Sequence, residues 1–316
     1  MLQWIFYCRK CYSFELRFVT VLFYTKHVKG IHKCNRLCSE RRKMRTKILG
    51  LMTCFNRKEK TITAISNLIS KNPNIEFKFV VVDDNSTDGT KAALEKIRGV
   101  VVLNGNGQLF YSGGMRMAMQ YALDTTEVYD YCLLFNDDVE FYSQTIEKML
   151  SVKNAGREIL VGPTCDTEGK LSYGGVIKKS RFRPNFDIID GTSQRAKSCD
   201  TFNANCVLIP WKIFKDLGNM DSAYSHSLGD FDYGFKASKK GIPIWVCDFF
   251  VGQCSDNPIS GSWRDTNLSR RERLKKKESP KGLPRKEWWH YLKINYSIGT
   301  AMVYSITPYL RILIRR

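Results

Sequence analysis

Three acidic stretches, far apart in the chain, have the residue types that bind nucleotides, hold metal ions and move protons. In Val82-Asp83-Asp84-Asn85-Ser86-Thr87-Asp88-Gly89-Thr90, two carboxylates directly follow an apolar run. Carboxylates there accept hydrogen bonds from a base N–H and from ribose hydroxyls, while Ser86, Asp88 and Gly89 turn the chain and cap a helix; the bland reading is such a polar turn alone. Phe135-Asn136-Asp137-Asp138 ends a second apolar run. Acidic oxygens at a strand end suit Mg2+ or Mn2+, which complete their shells with phosphate oxygens, and such an ion neutralises charge on a leaving nucleoside diphosphate. The alternative is a charged turn. Gly229-Asp230-Phe231-Asp232 opens a helix, where Asp230 reads either as an N-terminal cap or as a general base for an acceptor hydroxyl.

These residues need elements that bring them together. Apolar strands are predicted at Ile48–Thr53, Phe77–Val82, Val100–Leu103 and Tyr131–Phe135, alternating with helices at Lys58–Ser70, Lys91–Ile97 and Gly113–Leu123. Strand–helix alternation with near-continuous apolar strands means a mainly parallel sheet covered on both faces. Ligands of such sheets sit at the carboxyl ends of the strands. Thr53–Arg57, Asp83–Thr90 and Asn136–Asp138 are therefore expected on one edge. Further on, strands are predicted at Glu158–Val161, Thr201–Ile209 and Pro243–Cys247, and helices at Trp211–Leu217 and Tyr233–Lys240. Arg270–Lys277 reads as a basic linker and Trp288–Ile314 as an aromatic tail.

The order and spacing of these motifs resemble family 2 glycosyltransferases. The resemblance rests on Thr53-Cys54-Phe55-Asn56-Arg57, Val82 to Thr90, Asn136-Asp137-Asp138 and Gly229 to Asp232, and spans about Lys47–Trp263. Tyr111-Ser112-Gly113-Gly114-Met115-Arg116 and Gly252-Gln253-Cys254 with Asn257 are similar to a bacterial subgroup that builds surface polysaccharide and lipopolysaccharide. The resemblance implies an A-type, Rossmann-like α/β fold and an inverting transfer from a UDP- or dTDP-sugar to a glycan or lipid-linked acceptor. It implies Asp230 as the base and Mn2+ or Mg2+ held by Asp138 and Asn136. It places Thr53, Asn56, Arg57, Asp83, Asp84, Arg116 and Asp137 around the nucleotide sugar. Asn136 stands where many members have Asp, Gly229 where the usual residue is Glu, and no His follows Gly241 until His290.

Charge divides the chain. Residues 1–47 hold 12 basic against 2 acidic residues and 264–316 hold 14 against 4, whereas 48–263 hold 24 against 25. The net charge of +19 thus belongs to the ends. No nucleic-acid motif accompanies it, so an anionic membrane surface, met through the C-terminal tail, is the expected polyanion, and no nucleic acid. The domain reading is a basic, Cys-rich extension at 1–46, a catalytic domain at 47–263 and a basic aromatic tail at 264–316. Met44 reads as an alternative start. Cys8, Cys11, Cys34 and Cys38 are an alternative zinc set. No apolar run reaches the roughly 18 residues of a membrane span, and scattered cysteines without a signal peptide fit a cytoplasmic protein, peripheral to the inner face of the membrane. Two competing readings are a nucleotidyltransferase, opposed by a first loop without glycine, and a non-catalytic basic binding protein.

Overall fold

The computed structural model describes residues 45–152, 155–189, 197–255 and 258–314. The alternative start at Met44, the four N-terminal cysteines and Asn257 lie outside them. In chain order come β1 (Thr46–Cys54), α1 (Lys58–Lys71), β2 (Ile75–Asp83), α2 (Thr90–Leu94), β3 (Val100–Asn104), α3 (Phe110–Asp124) and β4 (Tyr131–Phe135). Next are β5 (Glu140–Phe141), α4 (Thr145–Ser151), β6 (Ile159–Val161), β7 (Thr164–Cys165), β8 (Leu171–Tyr173), β9 (Gly175–Lys178), β10 (Phe186–Ile188), β11 (Lys197–Ser198), β12 (Thr201–Phe202) and β13 (Cys206–Pro210). There follow α5 (Trp211–Leu217), α6 (Gly229–Lys239), β14 (Ile244–Val246), β15 (Gly252–Gln253), α7 (Arg270–Lys277), α8 (Arg285–Asn295) and α9 (Ile298–Ile314).

Among the described residues the central sheet has the order β11-β14-β6-β13-β4-β1-β2-β3. Its strands run parallel except β13 and β11, which run against their neighbours. The mainly parallel α/β architecture is the one expected. Successive residues of β1 and β2 enter opposite layers. Leu49, Leu51, Val80 and Val82 pack under Met115, Ala118 and Met119 of α3. Ile48, Met52, Phe79 and Val81 pack against Ala64, Ile65 and Leu68 of α1. Burial on both faces explains the continuous apolar strands. A Cβ on Gly114 would lie 2.2 Å from Thr53 Oγ1, so glycine lets α3 sit directly on the end of β1.

Two expectations need correction. Thr201–Ile209 is not one strand: β12 pairs with β9 in a small sheet, and β13 enters the central sheet. Its alternating Thr-Phe-Asn-Ala-Asn-Cys-Val pattern is continuous through Asn203–Asn205, which hides the break. Arg270–Lys277 is a helix, not a linker. Ser269 and Glu272 form a reciprocal capping box at its start, and Arg273 and Lys277 are buried. Long cationic side chains cover apolar surface with their stems, a contribution that composition conceals.

The tail packs on the body. Trp288, Tyr291, Leu292 and Ala301 cluster with Tyr224 and Phe235. Trp288 and Tyr291 stack at 5.5 Å and are buried, so these two aromatics of the tail are core residues. No helix among the described residues is long and apolar enough to cross a membrane.

Candidate active site

The loops after β1, β2, β3 and β4 leave the same edge of the sheet, because those strands are parallel. Asn56 ties the first two loops together: its N–H donates to Ser86 Oγ at 2.8 Å, and its Oδ1 accepts from the Thr87 N–H at 2.8 Å. Asp88 accepts from the Lys58 N–H at the start of α1 and from the Thr90 N–H at the start of α2. The turn thus serves two helix ends. Asp83 Oδ1 accepts from the Ser86 N–H at 3.0 Å. Thr53 Oγ1 donates to the Val82 carbonyl. Phe55 is 51% exposed on this edge.

At the end of β4, Arg57 reaches across to Asp137 at 2.8 Å and Asp138 at 3.3 Å. Thr61, one helical turn beyond Arg57, also donates to Asp137. Burial pushes the Asp137 carboxyl up, and Arg57 opposes that shift. Asp138 and Asn136 remain partly exposed. Cys254 Sγ lies 3.5 Å from Asp138 Oδ1 and 3.5 Å from Asn205 Nδ2.

Among the described residues no group of three or more His, Cys, Asp or Glu side chains is arranged to hold a metal ion. Asp137 is buried and held by Arg57 and Thr61, so the donors open to an ion are the partly exposed Asp138 carboxylate, which Arg57 and Cys254 also meet, and the Asn136 amide oxygen. One or two carboxylates completed by substrate phosphates is a usual shell for Mg2+. The donor set fits an ion shared with a diphosphate and does not fit a resident site made by protein alone.

Asp230 reaches this edge by another route. Because β13 runs against β4, its start lies beside the end of β4, and the Asn136 N–H donates to the Asn205 carbonyl at 3.3 Å. The neighbouring Ala204 N–H donates to Asp230 Oδ2 at 3.2 Å. Burial lifts the Asp230 carboxyl to about 6, against the backbone N–H donors of Ala204 and Phe231. Tyr111, on the first turn of α3, has a buried hydroxyl without a hydrogen-bond partner. Burial first, then the charges of Asp230 and Asp138, raise its phenol well above the ordinary value. Both acids are thus near enough for their charges to act on this phenol.

A Cβ at Gly229 would lie 2.4 Å from Ser112 Oγ, so α3 fills the space that the resemblance gives to a Glu side chain. Asn56, Asn85, Phe110 and Leu228 all have positive φ (50°, 65°, 52° and 69°). These non-glycine residues lie in the loops of this edge and at the start of α6, and such backbone gathers at functional sites.

Three of the expected ligands also have partners within the fold. Asp84 Oδ2 accepts from the Leu109 and Phe110 N–H groups at 3.0 and 3.1 Å, and Oδ1 from Gly107 at 2.8 Å. Its carboxylate shapes the β3–α3 loop. Asp137 is held as described above. Arg116 Nη1 donates to the carbonyls of Asp221 and Tyr224, so it fastens the loop before α6. The α3 N-terminus is similarly closed: Tyr111 N–H donates to His226 Nδ1 at 3.4 Å and Ser112 N–H to the Ser225 carbonyl at 3.0 Å. Burial, then Lys281, depresses His226 to about 4, which keeps that acceptor neutral. Tyr111, Thr61 and Cys254 join the site without an assigned role in the sequence reading. The i, i+4 spacing of Arg57 and Thr61 was the available signal for one of them.

The sequence profile described as Glycosyl transferase family 2 matches residues 51–215, just over half the chain. That stretch holds the first four loops and stops short of Asp230. The low-salt glycan biosynthesis hexosyltransferase Agl10 of Haloferax volcanii is 20% identical over 190 residues, 58% of this chain and 60% of that relative's length. The mannosyltransferase PcManGT of Pyrobaculum calidifontis, solved in complex with GDP-Man and Mn2+, superposes with a TM-score of 0.48 and 12% identity, covering 91% of this chain and 83% of that one.

Proposed function

This chain belongs to glycosyl transferase family 2, and from that premise we propose that it moves a sugar from a nucleoside diphosphate sugar to a hydroxyl, with inversion at the anomeric carbon. The observation that carries the reading is that β13, running against β4, brings Asp230, held by the Ala204 N–H, to the sheet edge where Asn136 and Asp138 end β4. Asp83, whose Oδ1 is engaged by Ser86, offers its other oxygen to the nucleoside, and the exposed Phe55 ring offers a face to the base. Arg57 stands between the first loop and the acids at the end of β4, where it can also meet a diphosphate. Asp138 and Asn136 would hold Mn2+ or Mg2+, which supplies charge neutralisation for the departing diphosphate.

Asp230 takes the acceptor proton. Its carboxyl near 6 is ionised at neutral pH and more basic than an ordinary aspartate, as a general base requires. The acceptor oxygen forms its bond to the anomeric carbon as the bond to the diphosphate oxygen breaks on the opposite face, and one displacement inverts the centre. The donor is a UDP- or dTDP-sugar and the acceptor a glycan or lipid-linked glycan of the cell surface. A cytoplasmic location on the inner face of the membrane goes with this reading.

The test is nucleoside diphosphate release from a panel of nucleotide sugars with Mn2+ or Mg2+, alongside Asp138→Ala and Asp230→Asn. Release from one donor, abolished in both variants and giving an inverted product, is expected. A product with retained configuration would overturn the single displacement. Silence with every donor, even with membrane extract supplying acceptor, would favour an inactive relative or a binding protein.

A further inference from the structure

The outward face of α9 is apolar, where a surface helix is ordinarily polar. Ala301, Pro308 and Ile312 form its buried seam. Met302, Val303, Ile306, Leu310 and Leu313 point away from that seam and stand between 46% and 61% exposed. Arg311 is the one charged residue of the helix. At 17 residues it is about 25 Å long, below the roughly 30 Å of a bilayer core.

A cationic helix lies beside it. Arg273 Nη1 of α7 donates to the Ile312 carbonyl at 3.5 Å, and Lys277 Nζ sits 3.9 Å over the Tyr309 ring. With Arg273 and Lys277 turned in, α7 exposes Arg270, Arg271, Lys275 and Lys276. At the other end of α9, Thr300 Oγ1 donates to the Phe182 carbonyl at 3.2 Å. Phe182 is 68% exposed, at the tip between β9 and β10, with the exposed Arg181 and Arg183 on either side.

We propose that α9 lies in the plane of an anionic lipid surface. Its apolar row enters the boundary of the acyl chains, the exposed α7 cations meet lipid phosphates, and Phe182 with its flanking arginines is a second anchor. An apolar face beside a basic one is the composition of interfacial helices. A second copy is a poor occupant, because joining two such faces would bring together two segments of 14 basic and 4 acidic residues each. The inference does not depend on turnover.

Sedimentation of the full chain with phosphatidylcholine vesicles, with and without phosphatidylglycerol, tests it. Binding that requires phosphatidylglycerol and weakens with salt is expected. Val303→Gln with Ile306→Gln should lower partitioning at least about tenfold, and Lys275→Gln with Lys276→Gln by roughly fivefold or more. Phe182→Ser should weaken binding without touching α9. All these positions are exposed, so thermal melts should be unchanged. Wild-type protein that stays in the supernatant, or variants that bind as well as wild type, would overturn the proposal. So would a dimer, seen by light scattering, that the Val303→Gln, Ile306→Gln protein loses.

Discussion

At the residue scale, the Asp230 carboxyl sits near 6 because burial disfavours its charge more than the N–H groups of Ala204 and Phe231 favour it. Only the ionised form accepts a proton, so kcat/KM should rise as pH passes through about 6 and level off above it. Asp230→Asn should lack that limb and lose about 10²–10⁴ in rate. The stability sign runs the other way. A carboxyl raised on folding holds its proton more tightly in the native state, so stability falls as pH climbs from the ordinary aspartate value to about 6. The Asn variant is therefore expected to fold at neutral pH, and a pH series of melts checks this. Next to it, Gly229 faces Ser112 at a distance no side chain tolerates. Gly229→Ala should cost about 1–3 kcal/mol by overpacking. Combining it with Ser112→Gly should recover part of that loss, read as coupling in a double-mutant cycle.

At the element scale, the loop between α5 and α6 is held from two sides. Arg116 of α3 donates to its carbonyls at Asp221 and Tyr224. From α8, Glu287 accepts from the Ser225 N–H and hydroxyl, and His290 Nε2 lies 2.8 Å from Asp221 Oδ2. This loop ends at Leu228, with φ 69°, directly before Gly229 and Asp230. The tail thus supports the position of the candidate base. Glu287→Ala should cost about 1.5–3 kcal/mol, the range for hydrogen bonds to a charged acceptor. It should also speed amide exchange across residues 221–230. Unchanged exchange would mean that Arg116 and His290 hold the loop without Glu287.

At the scale of the whole molecule, the sheet has apolar layers on both faces, and thiols are part of them. Cys132 and Cys206 are fully buried, and burial raises both thiols well above the ordinary value. The thiolate is the reactive form, so alkylation of these two should proceed only as the domain unfolds. Mass-resolved labelling over a denaturant series should give both the same midpoint as the loss of helix signal. Earlier labelling of either would show that the apolar layer on its face of the sheet opens separately.

The parallel half of the fold was legible because each strand and helix from Thr46 to Phe135 is written locally, in runs of apolar residues bounded by Asp, Asn and Gly. Parallel strands then oblige Thr53–Arg57, Asp83–Thr90 and Asn136–Asp138 to share an edge, whatever the packing. Long-range contacts decided the rest. Nothing near Asp84, Asp137 or Arg116 in sequence reveals that distant partners engage them: the 107–110 loop, Arg57 with Thr61, and the carbonyls before α6. The split of Thr201–Ile209 between two sheets brought Ala204 to Asp230, and an unbroken alternating pattern concealed it. The sequence alone determined the elements from Thr46 to Phe135, their parallel order and the acids at the strand ends, because periodicity and turn chemistry are local. The tertiary structure alone decided which partners those acids meet, why Gly229 must be glycine and which face of α9 is left to solvent, because each depends on what a distant segment places against it.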